Sequence, residues 1–168
     1  FNKYNKKKYF FVNGRTALKY GLLSFGLKPK DEILLPNYIC DVMLIPLNEL
    51  LIKPVFYDVD KFFEPKLNSI KRNITSRTKA FVLVHYFGIP INHTKYKEFC
   101  KKHNIIFIED NAHGFGSSIN NNLIGYESDF TIMSPWKSLD LDNGGILMIN
   151  SKKKVDYGKI SKYKNNSF

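Results

Sequence analysis

At 168 residues, with 43% apolar and 24% charged side chains, the chain has the length and ordinary globular composition of one domain with a real core. Its longest apolar runs, such as Ala80 to Val84, are strand-sized and exclude a membrane-spanning segment, and Cys40 and Cys100 supply no disulfide framework, so a reducing cytoplasm is the default location. Much of the net charge of +11 sits in residues 2–9 and 151–164, neither of which carries a nucleic-acid motif; a solvated lysine-rich surface or an anionic small substrate accounts for it, and no nucleic-acid partner is expected.

After a basic segment over residues 1–8, Tyr9 to Val12 reads as a strand broken by Asn13-Gly14. Ala17, Leu18, Leu22 and Phe25 then recur at helical spacing until Gly26 closes the run. A strand, a glycine and a helix in this order can present the backbone N–H groups of Gly14, Arg15 and Thr16 to a phosphate, although a plain strand-to-helix turn has the same signature. Glu32 to Pro36 is a second strand, Tyr38 to Asn48 reads as mostly helical, and Lys53 to Asp60 is a third strand ending in Asp58 and Asp60. Those two acids lack further ligands at metal spacing and read as solvated strand-end groups. Glu64 to Ile74 is a short helix, Lys79 to Gly88 a strand, Asn92 to Asn104 an amphipathic helix and Ile105 to Asp110 a buried strand. Phe130 to Ser134 and Gly145 to Asn150 supply two later strands, and residues 151–168 read as a polar basic tail.

Alternation of strand and helix from Tyr9 to Asp110, with crossover lengths suited to parallel pairing, predicts an α/β fold: a mostly parallel sheet sandwiched by helices over residues 9–150. In such sheets ligands sit at the carboxyl tips of the strands, and Asp110 is delivered to one of them. Lys137 lies in the otherwise uncharged run Met133 to Leu139, so it must either snorkel out or be functional. The Gly144-Gly145 pair behind it lets backbone pass close to something. A buried acid and a lysine held among apolar neighbours suggest a cofactor that needs both, and pyridoxal 5'-phosphate fits: an aldehyde for the lysine and a pyridine nitrogen for the acid.

Other patterns are weaker. Gly114-Phe115-Gly116 lacks the third glycine of a dinucleotide fingerprint, and the four histidines, His85, His93, His103 and His113, are too dispersed for zinc. Asp140 to Gly144 falls short of a calcium loop, so no metal is expected. Trp136 is more often a core residue than a cofactor stack, and His113, in the turn leaving the Asp110 strand, suits backbone satisfaction and a ligand role about equally.

Taken together, Gly14 to Leu18 (GRTAL), Leu34 to Cys40 (LLPNYIC), His85 to Pro90 (HYFGIP), Ile108 to Gly114 (IEDNAHG) and Ser134 to Gly145 (SPWKSLDLDNGG) stand in an order that resembles the DegT/DnrJ/StrS family of pyridoxal-phosphate sugar aminotransferases. The resemblance covers nearly all of Tyr9 to Asn150 and implies the aspartate-aminotransferase-like fold, fold type I. It implies Lys137 as the lysine that condenses with the cofactor, Asp110 as the partner of the pyridinium nitrogen and His113, where glutamine is commoner, beside the phenolic oxygen. Gly14, Arg15, Thr16 and Ser134 match the phosphate-holding positions. The aromatic ring that family members place over the cofactor falls at about Cys40, with Tyr38 close by.

Family enzymes are longer, with a smaller C-terminal domain and a partner subunit that completes each site. The chain is therefore expected to be a partial large domain with that small domain missing, and a homodimer in the full-length protein. Glutamate as amino donor and a nucleotide-linked keto-sugar as acceptor are the implied substrates. Members with histidine in place of the lysine dehydrate instead, so Lys137 favours amino transfer. A lyase on this fold and a non-catalytic remnant that dimerises or binds a partner are the rival expectations.

Overall fold

The computed structural model describes residues 6–165, so residues 1–5 of the expected basic segment and 166–168 of the expected tail lie outside the described residues. In chain order the elements are strand β1 (Lys7–Phe11), helix α1 (Gly14–Ser24), β2 (Glu32–Pro36), α2 (Leu44–Glu49), β3 (Lys53–Tyr57), α3 (Leu67–Asn73), β4 (Thr78–Val84), α4 (Thr94–Lys102) and β5 (Ile106–Asn111). There follow a short hairpin, β6 (Ser118–Ile119) and β7 (Asn122–Leu123), then β8 (Phe130–Met133), β9 (Gly145–Ile149) and α5 (Tyr157–Asn165).

Seven strands form one sheet in the order β1-β9-β8-β5-β4-β2-β3, in which β3, β2, β4, β5 and β8 run parallel. Every residue of β2, β8 and β9 is buried, which requires cover on both sheet faces and explains why these segments read as mostly apolar runs. The predicted α/β architecture is thus present, with one local reversal: β9 pairs antiparallel to both β8 and β1. Only residues 134–144 join β8 to β9, too few for the helical crossover that a parallel pairing demands.

Tyr38 to Asn48 is mostly helical, as expected: a 3-10 turn at Asp41–Met43 runs into the six-residue α2, whose first turn accommodates Pro46 because its missing N–H has no helical partner to lose there. Other stretches differ from their sequence reading. The strand expected through Gly88 stops at Val84, where His85 and a turn at Tyr86–Gly88 leave the sheet. Residues 151–165 are more than a polar tail: α5 packs against α1, Ile160 is buried, and the Tyr163 ring meets Phe11 at a tilt and Tyr20 edge-on, at centroid distances of 4.7 and 5.2 Å. Among the described residues no helix is long and apolar enough to cross a membrane.

Glu32, at the start of β2, is a buried carboxylate with a complete set of partners. Thr75 Oγ1 donates to it at 2.5 Å, Arg77 lies at 3.2 Å and Lys53 at 3.3 Å. The Thr75 hydrogen bond, seconded by the two cations, outweighs burial and holds its acid below the usual glutamate range. A depressed folded-state value means that the unfolded chain takes up the proton first, so this stabilisation is present at neutral pH and drains away as pH falls through the folded value. Glu32→Gln is expected to cost about 2 kcal/mol at pH 7 and to flatten the acid limb of stability, read as urea midpoint against pH.

Candidate active site

The parallel strands end on one edge of the sheet, and β2, β4, β5 and β8 each hand one segment to the same cavity, about 410 Å³ in volume. Tyr38 and Cys40 follow β2, His85 to Phe87 follow β4, Asp110 and His113 belong to the end of β5, and Ser134, Trp136 and Lys137 follow β8. Asn13, Gly14 and Arg15 close the wall from the start of α1. Of the nine residues singled out from sequence, Thr16 alone is absent from this wall. Its N–H and its hydroxyl both donate to Asn13 Oδ1, at 2.9 and 2.8 Å, as the N-terminal cap of α1.

The Gly144-Gly145 pair shows what its backbone approaches. A Cβ at Gly145 would fall on the carbonyl carbon and oxygen of Asn13, so β9 lies directly beneath the capped start of α1. The glycine therefore serves the chain's own backbone, and through it the position of Gly14 and Arg15. Gly145→Ala is expected to lower stability by about 3 kcal/mol, the top of the range for overpacking, and to displace the α1 start; a denaturant titration checks it.

Asp110 is 6% exposed, and Ala112 N–H donates to its Oδ1 at 2.9 Å. Burial raises its acid above the ordinary aspartate range, against the pull of that hydrogen bond and of nearby Lys137, His113 and His85. Lys137 leaves the 3-10 turn Pro135–Lys137 with its Nζ 3.0 Å from His113 Nε2 and 6.0 Å from the Trp136 ring centroid. Burial, then the lysine charge, push the His113 imidazole below its usual range, so at neutral pH it is the neutral acceptor of the ammonium.

Trp136, read from sequence as a core residue, is 42% exposed and stands in the cavity wall. Tyr38 turns its ring sideways onto Phe63 and Tyr86, at 5.4 and 5.8 Å, and its carbonyl accepts from Tyr86 Oη at 2.5 Å. Cys40 keeps an exposed thiol in the wall. Sequence reasoning passed over Asn13, Tyr86 and Phe87; Asn13, three residues ahead of Thr16, carried a capping signal, whereas the turn of Tyr86 and Phe87 into the cavity is a tertiary effect. Asp60 Oδ1 accepts the N–H groups of Phe62 and Glu64, closing a turn, and the described residues hold no cluster that could bind a metal.

The seven-stranded, mostly parallel sheet is the fold of the large domain of pyridoxal-phosphate aminotransferases. Residues 1–166 match the model of the DegT/DnrJ/EryC1/StrS aminotransferase family, and the chain belongs to that family. It is 32% identical over 149 residues to the GDP-perosamine synthase of Escherichia coli O157:H7, covering 86% of this chain but 40% of that enzyme. Among solved structures, the Helicobacter pylori aminotransferase PseC, involved in the biosynthesis of pseudoaminic acid, superposes with a TM-score of 0.84 at 23% identity, over 95% of this chain and 43% of that one. The E. coli GDP-4-keto-6-deoxy-D-mannose-3-dehydratase, with bound hydrated PLP, does so at 0.78 and 24%, over 89% and 42%. Aminotransferase and dehydratase thus share this fold, and the chain spans less than half the length of each.

Proposed function

We propose that the cavity binds pyridoxal 5'-phosphate and that the protein moves an amino group from glutamate to a nucleotide-linked keto-sugar. The observation that carries this reading is the convergence of Asp110, His113 and Lys137 on one cavity from the ends of two adjacent strands. The residues suit the group: Asp110 Oδ1 is held by Ala112, while its other oxygen meets no hydrogen-bond donor among the described residues. When bound, the group supplies an electron sink for breaking a Cα–H bond.

The chain's own residues divide the remaining work. Asp110 would pair with the ring nitrogen, its carboxylate charge holding a proton there. Lys137 would hold the group covalently through Nζ and, once released, would serve as the base and acid that moves a proton. His113, neutral and an acceptor, orients Nζ through the hydrogen bond at Nε2. Gly14 and Arg15, at the capped start of α1, and Ser134 cradle the phosphate; a Cβ at Gly14 would lie 2.5 Å from Ser134 Oγ, so glycine keeps that cradle open. A homodimer belongs to this proposal.

Retention of Lys137 favours amino transfer over dehydration. Incubation with glutamate and a panel of nucleotide-linked keto-sugars is expected to release 2-oxoglutarate and an aminated sugar in equal amounts. Consumption of the sugar with loss of water and no 2-oxoglutarate would replace this reading by a dehydratase. A folded chain that takes up no pyridoxal phosphate would favour the non-catalytic alternative.

A further inference from the structure

We infer that Phe87 is a positioning residue for His113, built into the turn after β4 at a conformational cost. Phe87 holds φ 55° and ψ 18°, the left-handed region that a bulky L-residue avoids, and its ring is 61% exposed. An exposed phenylalanine in a disfavoured conformation is not explained by its own burial, so the surroundings must impose it.

They do so from three sides. His85 N–H donates to the Asp110 carbonyl at 3.0 Å, and its ring is clamped between Glu109 Oε1 at 3.1 Å and the Ile91 N–H at 3.1 Å. These bonds fix the turn at both ends. In its middle, a Cβ at Gly88 would lie 2.9 Å from the His113 carbonyl oxygen, so the turn presses on the backbone of His113. The Phe87 ring is thereby laid nearly parallel to the His113 imidazole, at 6.2 Å and 17°, with Phe63 edge-on at 5.5 Å on another side. With that ring beside it, His113 keeps Nε2 toward Lys137 rather than rotating into solvent.

The inference rests on the cofactor reading for its catalytic meaning but not for its structural content, and the test separates the two. Phe87→Asn removes the ring and keeps a residue that tolerates the left-handed region; Phe87→Tyr keeps the ring. Lys137 and Asp110 are the charged groups facing His113, and both variants retain them. By nitrogen-15 NMR, the His113 titration midpoint in Phe87→Asn is expected to rise as the partial cover that the ring gives the imidazole is lost, with the wild-type midpoint restored in Phe87→Tyr. With pyridoxal phosphate as probe, the rate of covalent capture on Lys137, trapped by borohydride and read by mass, is expected to fall roughly tenfold to a hundredfold in Phe87→Asn. An unchanged midpoint in folded Phe87→Asn overturns the inference. A wild-type chain that captures no pyridoxal phosphate defeats the functional reading instead, and the NMR arm still decides Phe87.

Discussion

Replacing Lys137 by alanine is expected to abolish covalent capture of pyridoxal phosphate and to reduce amino transfer roughly 10⁵-fold or more, the scale on which loss of a covalent nucleophile acts. Among the described residues no other lysine lines this cavity, where Nζ lies 3.0 Å from His113 Nε2 beside Asp110. The imidazole holds Nζ in place through that hydrogen bond. Folding should be little affected, because the side chain is exposed and its one short polar contact is to His113. Mass spectrometry after borohydride reduction checks the first part, and a urea titration the second. A captured adduct of undiminished yield in Lys137→Ala would assign the anchor to another lysine.

The second large effect concerns Asp110. Asp110→Asn keeps the shape and an acceptor for the Ala112 N–H but removes the charge that holds a proton on a ring nitrogen. A loss of roughly a thousandfold in amino transfer is expected, the magnitude of a deleted charge-stabilising contact in a water-poor site. Stability should move the other way. Burial raises the folded-state acid, so the carboxyl favours folding only while protonated, and that contribution is lost as pH climbs from the ordinary aspartate value through the folded one. At pH 7 the charged group is a burden, and the asparagine variant is expected to gain about 1 kcal/mol. Activity falling while the urea midpoint rises is the signature of a site that trades stability for chemistry.

How much of this was legible beforehand differs by residue. The strands that form the middle of the sheet were plain in sequence because burial on both faces demands mostly apolar runs, as in Ile33 to Pro36 and Ala80 to Val84. Asp110 and Lys137 were visible for the complementary reason: each is a charge in an apolar stretch. The Gly144-Gly145 pair was recognised as a close approach, but that its neighbour is Asn13, more than a hundred residues away, depends on β1 and β9 pairing antiparallel. Trp136 and Phe87 were misjudged or missed, since composition cannot reveal that a large aromatic is turned outward by a strained or 3-10 turn. Helix α5 was hidden because its lysines mask the residues that pack, Tyr157, Ile160 and Tyr163.

A single ligand lying between Lys137 and Asp110 is the central claim, and its most direct measurement is a crystal structure of the chain after pyridoxal phosphate has been diffused in. The expected result is continuous density from Lys137 Nζ into the ligand, with its ring nitrogen at hydrogen-bonding distance from Asp110 and its phosphate at Gly14, Arg15 and Ser134. Density joined to a different lysine, or a ring nitrogen turned away from Asp110, would contradict it.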